Sequence, residues 1–106
     1  MPDRDEKRAA FQALVNRVLT GEGTAPAELR GSAFRDDGLP TALDGLIGKV
    51  VTRPAEVTDA DFAAVQAAGY TQDQLFELVV CAAVGQSARL YDAGLAALRE
   101  AAGDAA

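Results

Sequence analysis

Histidine and tryptophan are absent from this 106-residue chain, and cysteine occurs once, at Cys81. Without histidine the chain lacks the commonest general base and the commonest transition-metal ligand. One cysteine allows no intramolecular disulfide framework. Aromatic residues are few, two tyrosines and four phenylalanines, and much of the apolar content is alanine, which buries little area per residue. No apolar run is long and uninterrupted enough to cross a bilayer. Basic residues are outnumbered, giving a net charge of −6. That argues against nucleic acid and anionic membrane surfaces as partners, since both need a basic patch. The polar start of the chain has no apolar stretch following basic residues, so no secretory signal is expected. The plain reading is a cytoplasmic protein with no metal and no cofactor.

What is present is helical. The length fits one domain over 1–106, read as an all-α bundle of five or six helices. Phe11, Leu14, Val15, Val18 and Leu19 share one face of a helix running from about Asp5 to Leu19. Gly21 and Gly23 end it. A shorter helix from Pro26 to about Arg35 leads into a turn at Asp36-Asp37-Gly38. A third helix starts at Pro40 or Thr41, carries Leu43, Leu46, Ile47, Val50 and Val51, and must stop before Pro54. Gly45 and Gly48 inside it suggest close helix approach.

The next boundaries are the sharpest. Thr58 and Asp61 resemble a capping box, and Thr71 with Gln74 matches one outright. Gly69 between them suits a left-handed helix stop. A short helix over 58–68 and a long one from Thr71 follow. In the long tract Phe76, Val79, Val80, Ala83, Ser87, Tyr91, Leu95 and Leu98 keep a helical stripe, with Gly85 as the place for a kink or break. Fraying is expected from Ala101.

Chemistry, if the chain has any, belongs to this last tract. Cys81 reads either as a small buried hydrophobe or as a one-cysteine peroxidatic or nucleophilic site. Glu77, one helical turn earlier, reads either as a base with a raised pKa or as a carboxylate that pairs with an arginine or caps a neighbouring helix. Gln86, Ser87 and Arg89 form a polar patch suited to a small carboxylate, with Arg89 supplying the fork, or to a subunit contact. Arg89 lies two helical turns, roughly 12 Å, beyond Cys81, so a straight helix keeps them apart. Arg30 and Arg35 on the second helix are further partners for the same anion. Asp36-Asp37 alone makes a poor metal motif.

The short helix, the Gly69 turn, the Thr71-Gln72-Asp73-Gln74 cap, the early Glu77 and the alanine-rich run through Cys81 resemble the carboxymuconolactone decarboxylase-like family, which includes the AhpD-like alkylhydroperoxidases. Gln86 and Arg89 look similar to the polar residue and arginine that follow in many members. The resemblance spans about 57–98. It implies an AhpD-like helical bundle assembled as a homo-oligomer (dimer, trimer or hexamer) with sites between helices or subunits. It does not carry the family's chemistry across. The redox members use two cysteines two residues apart and then a histidine; here Val84 and Ala88 stand at those places, and the decarboxylases' histidine is also missing. The leading expectation is a divergent member of undetermined activity that binds a small organic acid or other metabolite near Cys81, Gln86 and Arg89. The rivals are a single-cysteine redox protein and a non-enzymatic oligomerisation or partner-binding module.

Overall fold

A computed structural model describes residues 4–103. Five α-helices and one 3₁₀ turn account for almost all of them, and no strand occurs among the described residues. They are α1 (Arg4–Thr20), α2 (Ala27–Arg35), α3 (Thr41–Thr52), the 3₁₀ turn Pro54–Glu56, α4 (Asp59–Ala67) and α5 (Gln72–Gly103). The all-α expectation therefore holds. No helix among the described residues is long and apolar enough to cross a membrane.

Local chemistry sets the boundaries. Pro26 and Pro40 stand immediately before α2 and α3, where a residue without a backbone N–H loses nothing. Asp36, in the left-handed region at φ 53°, ends α2. Both capping boxes form: Asp61 N–H donates to Thr58 Oγ1 at 3.3 Å while Thr58 N–H donates to Asp61 Oδ2 at 2.8 Å. Gln74 N–H donates to Thr71 Oγ1 at 3.1 Å, and Thr71 N–H to Gln74 Oε1 at 3.0 Å. Gly69 adopts φ +108° between α4 and α5, a conformation that a side chain would resist. Lys49 Nζ reaches Asp61 at 2.9 Å and ties α3 to α4.

The core gathers Leu43, Leu46 and Ile47 from α3, Val65 from α4, Ala33 from α2, Ala25 just before it, and Leu75, Leu78, Cys81 and Ala82 from α5. The buried stripe of α5 is thus Leu75, Leu78, Cys81, Ala82 and Gly85, turned by about one residue from the expected one. Phe76, Tyr91 and Leu98 are exposed, and so are Ala83 and Ser87. Residues 75–84 are apolar on nearly every side, so periodicity alone leaves the inward face undetermined. α1 contributes little to the core: Val15 is its one buried residue, Phe11, Val18 and Leu19 are half-buried, and Leu14 is exposed.

Three further expectations change. α5 does not break at Gly85 but continues unbroken to Gly103, so the tail is helical through 101–103; residues 104–106, like 1–3, lie outside the described residues. Gly45 and Gly48 have open space around them rather than a neighbouring helix. The close approach is at Gly85 instead, where an added Cβ would run into the carbonyl of Phe34 and sit 2.9 Å from its Cα. The missing side chain lets the end of α2 lie directly on α5.

Two glycine substitutions should therefore move stability in opposite directions. Gly85→Ala should cost about 1–3 kcal/mol through overpacking. Gly45→Ala should gain about 0.5–1 kcal/mol, because a helical glycine with free space around it only adds entropy to the unfolded chain. Urea unfolding of the two variants against the parent chain measures both.

Candidate functional site

Glu77, Cys81, Gly85 and Arg89 recur every four residues along α5, and this line of residues meets the α1–α2 region. Glu77 lies at the entrance to α2. Its carboxylate accepts from Thr24 N–H at 2.8 and 3.0 Å, from Thr24 Oγ1 at 3.1 Å and from Ala25 N–H at 2.6 Å. These amides stand just upstream of α2, where no helical carbonyl can satisfy them. The bond from the Ala25 amide, with those from Thr24 and the nearby charge of Arg30, holds the Glu77 carboxyl below its ordinary pKa. That is the reverse of the raised value a general base would need. Glu77 takes the capping role, not the role of a base beside the thiol.

Arg89 sits at the other end of α2. Its Nη1 donates to the Phe34 carbonyl at 2.7 Å, and its Nε and Nη2 donate to Gln86 Oε1 at 3.2 and 3.0 Å. Gln86 orients the guanidinium, and the guanidinium satisfies a carbonyl in the last turn of α2, where a cation also suits the helix dipole. The Gln86–Arg89 pair is therefore held at the end of α2, and neither residue lines the groove that contains Cys81.

Cys81 is 1% exposed. Its thiol donates to the Val18 carbonyl of α1 at 3.3 Å. Burial pushes its pKa up; the charge of Arg30 opposes this by less, and the charge of Glu77 adds a still smaller upward push. The cation near Cys81 is thus Arg30, on the neighbouring helix, and not Arg89.

Arg30 is the residue whose importance was least legible. It is 8% exposed, and its Nη1 donates to the carbonyls of Gly21 at 2.7 Å and Val18 at 3.4 Å, closing the end of α1. Its Nε is buried without a partner. The sequence signal was a charge embedded among Leu29, Ala33 and Phe34, but its place in space had to come from the fold. Arg35, its companion in the sequence reading, is exposed at the end of α2.

These groups surround a groove of about 800 Å³ between α1, α2 and α5. Arg30, Glu77 and Cys81 form its polar part, Leu14, Val18, Phe76 and Val80 its apolar part, and Arg17 and Glu22 also line it. Among the described residues no three or more Cys, Asp or Glu side chains converge as a metal-binding group. No family model, curated protein or solved structure matches this chain.

Two measurements follow. Alkylation of Cys81 in the native protein should be slow at neutral pH and should become fast only on denaturation; rapid native labelling with a midpoint below the ordinary thiol value of about 8.5 would contradict the buried geometry. For Glu77, the folded pKa lies below the unfolded one, so its stabilisation is complete above the ordinary glutamate value and is lost as pH falls through the depressed folded value. Glu77→Ala should cost about 1–2 kcal/mol at neutral pH, the scale of a lost cap. Thermal melts across the acid range should show that the variant lacks this part of the pH slope.

Proposed function

We propose that this chain is a divergent carboxymuconolactone decarboxylase-like protein that acts through assembly and binding, as a homo-oligomeric helical module. The family reading is supported by the order of α4, the Gly69 turn, the Thr71–Gln74 cap and the long alanine-rich α5. The departure from the family's chemistry is supported by the residues themselves. Cys81 is buried with a raised pKa, Glu77 is held by four hydrogen bonds, and Arg89 closes the end of α2.

The observation that carries the assembly reading is the unfinished packing of α1 and the second half of α5. At about 1.5 Å per residue, α5 is roughly 48 Å long, and the molecule measures 55 × 28 × 24 Å. Its radius of gyration is 16.2 Å, against about 13 Å for a compact chain of this length. Beyond Gly85 the partner of α5 is chiefly α1, which stacks Phe11 on Tyr91 at 6.1 Å. A gap of about 630 Å³ remains beside that stack, between α1, α5 and Phe34. Leu90 and Leu98 are 63% and 62% exposed, and Tyr91 nearly half exposed. Two helices paired along one edge cannot bury such residues by themselves, and exposed apolar surface of this kind marks association.

Sedimentation velocity across the micromolar range should give a dimer or larger species. Leu90→Lys with Leu98→Lys should shift it to monomer while leaving the helical signal intact. A monomer at every concentration would sink the assembly reading. The small-acid reading has its own support, the buried arginine in the groove.

A further inference from the structure

We infer that the groove between α1, α2 and α5 is a binding site for an amphipathic monocarboxylate, with Arg30 holding the carboxylate and the apolar wall holding the tail. This inference deepens the small-acid reading, moves it from Arg89 to Arg30, and is independent of assembly.

The argument starts from the charge of Arg30. Guanidinium stays protonated in any folded protein, and a charge taken out of water needs a partner of opposite sign or a full set of acceptors. Arg30 has neither. It is more than nine-tenths buried, and it makes no ion pair with any described residue. Both of its protein hydrogen bonds leave from Nη1, toward the carbonyls that end α1. Guanidinium is planar and rigid, so fixing Nη1 there also fixes the opposite edge, formed by Nε and Nη2. Nε is buried with no acceptor, and Nη2 makes no hydrogen bond to any described residue. Nη2, unlike the shielded Nε, is the guanidinium donor left for a carboxylate oxygen to accept from in a charge-assisted hydrogen bond. The α1 carbonyls therefore hold the guanidinium in position before any ligand arrives.

The remainder of the groove narrows the ligand class. Glu77 lies close enough to influence Arg30, but its own charge is already met by the amides of Thr24 and Ala25 and the Thr24 hydroxyl. Arg17 and Glu22 both line the groove and offset one another, so Arg30 is left as the one cation to be matched and one carboxylate is favoured over two. Phe76 is 70% exposed and Leu14 45% exposed, and both line this groove with Val18 and Val80. An alkyl or aryl tail would take them out of water, and the groove volume lies within the usual range for small-molecule sites.

The test is calorimetric titration of the full chain with octanoate and, as the uncharged match, octanamide. Octanoate should bind more tightly than octanamide by about ten-fold or more, the scale of a lost charged hydrogen bond. Arg30→Lys keeps a charge but removes the planar group that the α1 carbonyls orient toward the ligand, and should reduce that difference several-fold. Because Arg30 also closes α1, Leu14→Asp is the second variant: its site is exposed, so the fold is kept, while the added charge should weaken octanoate more than octanamide. Equal affinity for the two compounds, or no octanoate binding by the folded parent chain, overturns the inference. So does an unchanged octanoate preference in folded Arg30→Lys and Leu14→Asp. Sedimentation of the same samples separates the two readings, since a monomer that prefers octanoate sinks only the assembly proposal, and an oligomer with no preference sinks only this one.

Discussion

The contact between the end of α2 and Gly85 of α5 governs the arrangement of the other parts. α2 has nine residues, too few to hold a helix unaided in water. It is held because α5 offers three fixed points on one face. Glu77 receives the amides before its first turn, Gly85 leaves space for its backbone, and Arg89 receives a carbonyl of its last turn. Because Glu77 comes first along α5 and meets the start of α2, the two helices run in the same direction. That orientation carries Arg30 to the end of α1, where it closes the helix and becomes one wall of the groove.

Polar residues inside an apolar helix invite a catalytic reading, and α5 shows how that reading can arise from packing. Glu77 and Arg89 are polar because the ends of a neighbouring helix are polar. Helix termini leave amides and carbonyls with no partner inside their own helix. Side chains from an adjacent helix can meet that need, and they will then stand at helical spacing within an otherwise hydrophobic run. Cys81, between them, is the small apolar residue that this spacing admits, with its thiol turned to a carbonyl of α1. The same logic isolates Arg30 as different in kind, because it does more than close a helix: its Nε and Nη2 have no acceptor among the described residues.

Much of the helical order was legible in the sequence because local chemistry fixes it. Pro26, Pro40 and Pro54 mark limits by geometry, Gly69 by its backbone angle, and Thr58, Asp61, Thr71 and Gln74 by hydrogen bonds spanning three residues. The inward face of α5 was not legible. Between Leu75 and Val84 apolar residues occupy nearly every direction, so burial is decided by the elements that arrive. The glycines illustrate the same limit. Gly45, Gly48 and Gly85 read alike in the sequence, yet only Gly85 has a backbone against it. The positions of Arg30 and Glu77 depend on partners up to 53 residues away, beyond the reach of any local pattern.

That separation has a consequence for how the chain comes into being. The helix that α1, α2 and α3 pack against follows all three in the chain, and the hydrogen bonds that join it to the α1–α2 region span 50 to 63 residues. On the ribosome, α1 to α4 emerge without the surface that holds them. α2 in particular has nothing to receive its termini until Glu77 and Arg89 have been added. Folding of the earlier segments is therefore delayed until α5 has left the exit tunnel, when they close onto it together.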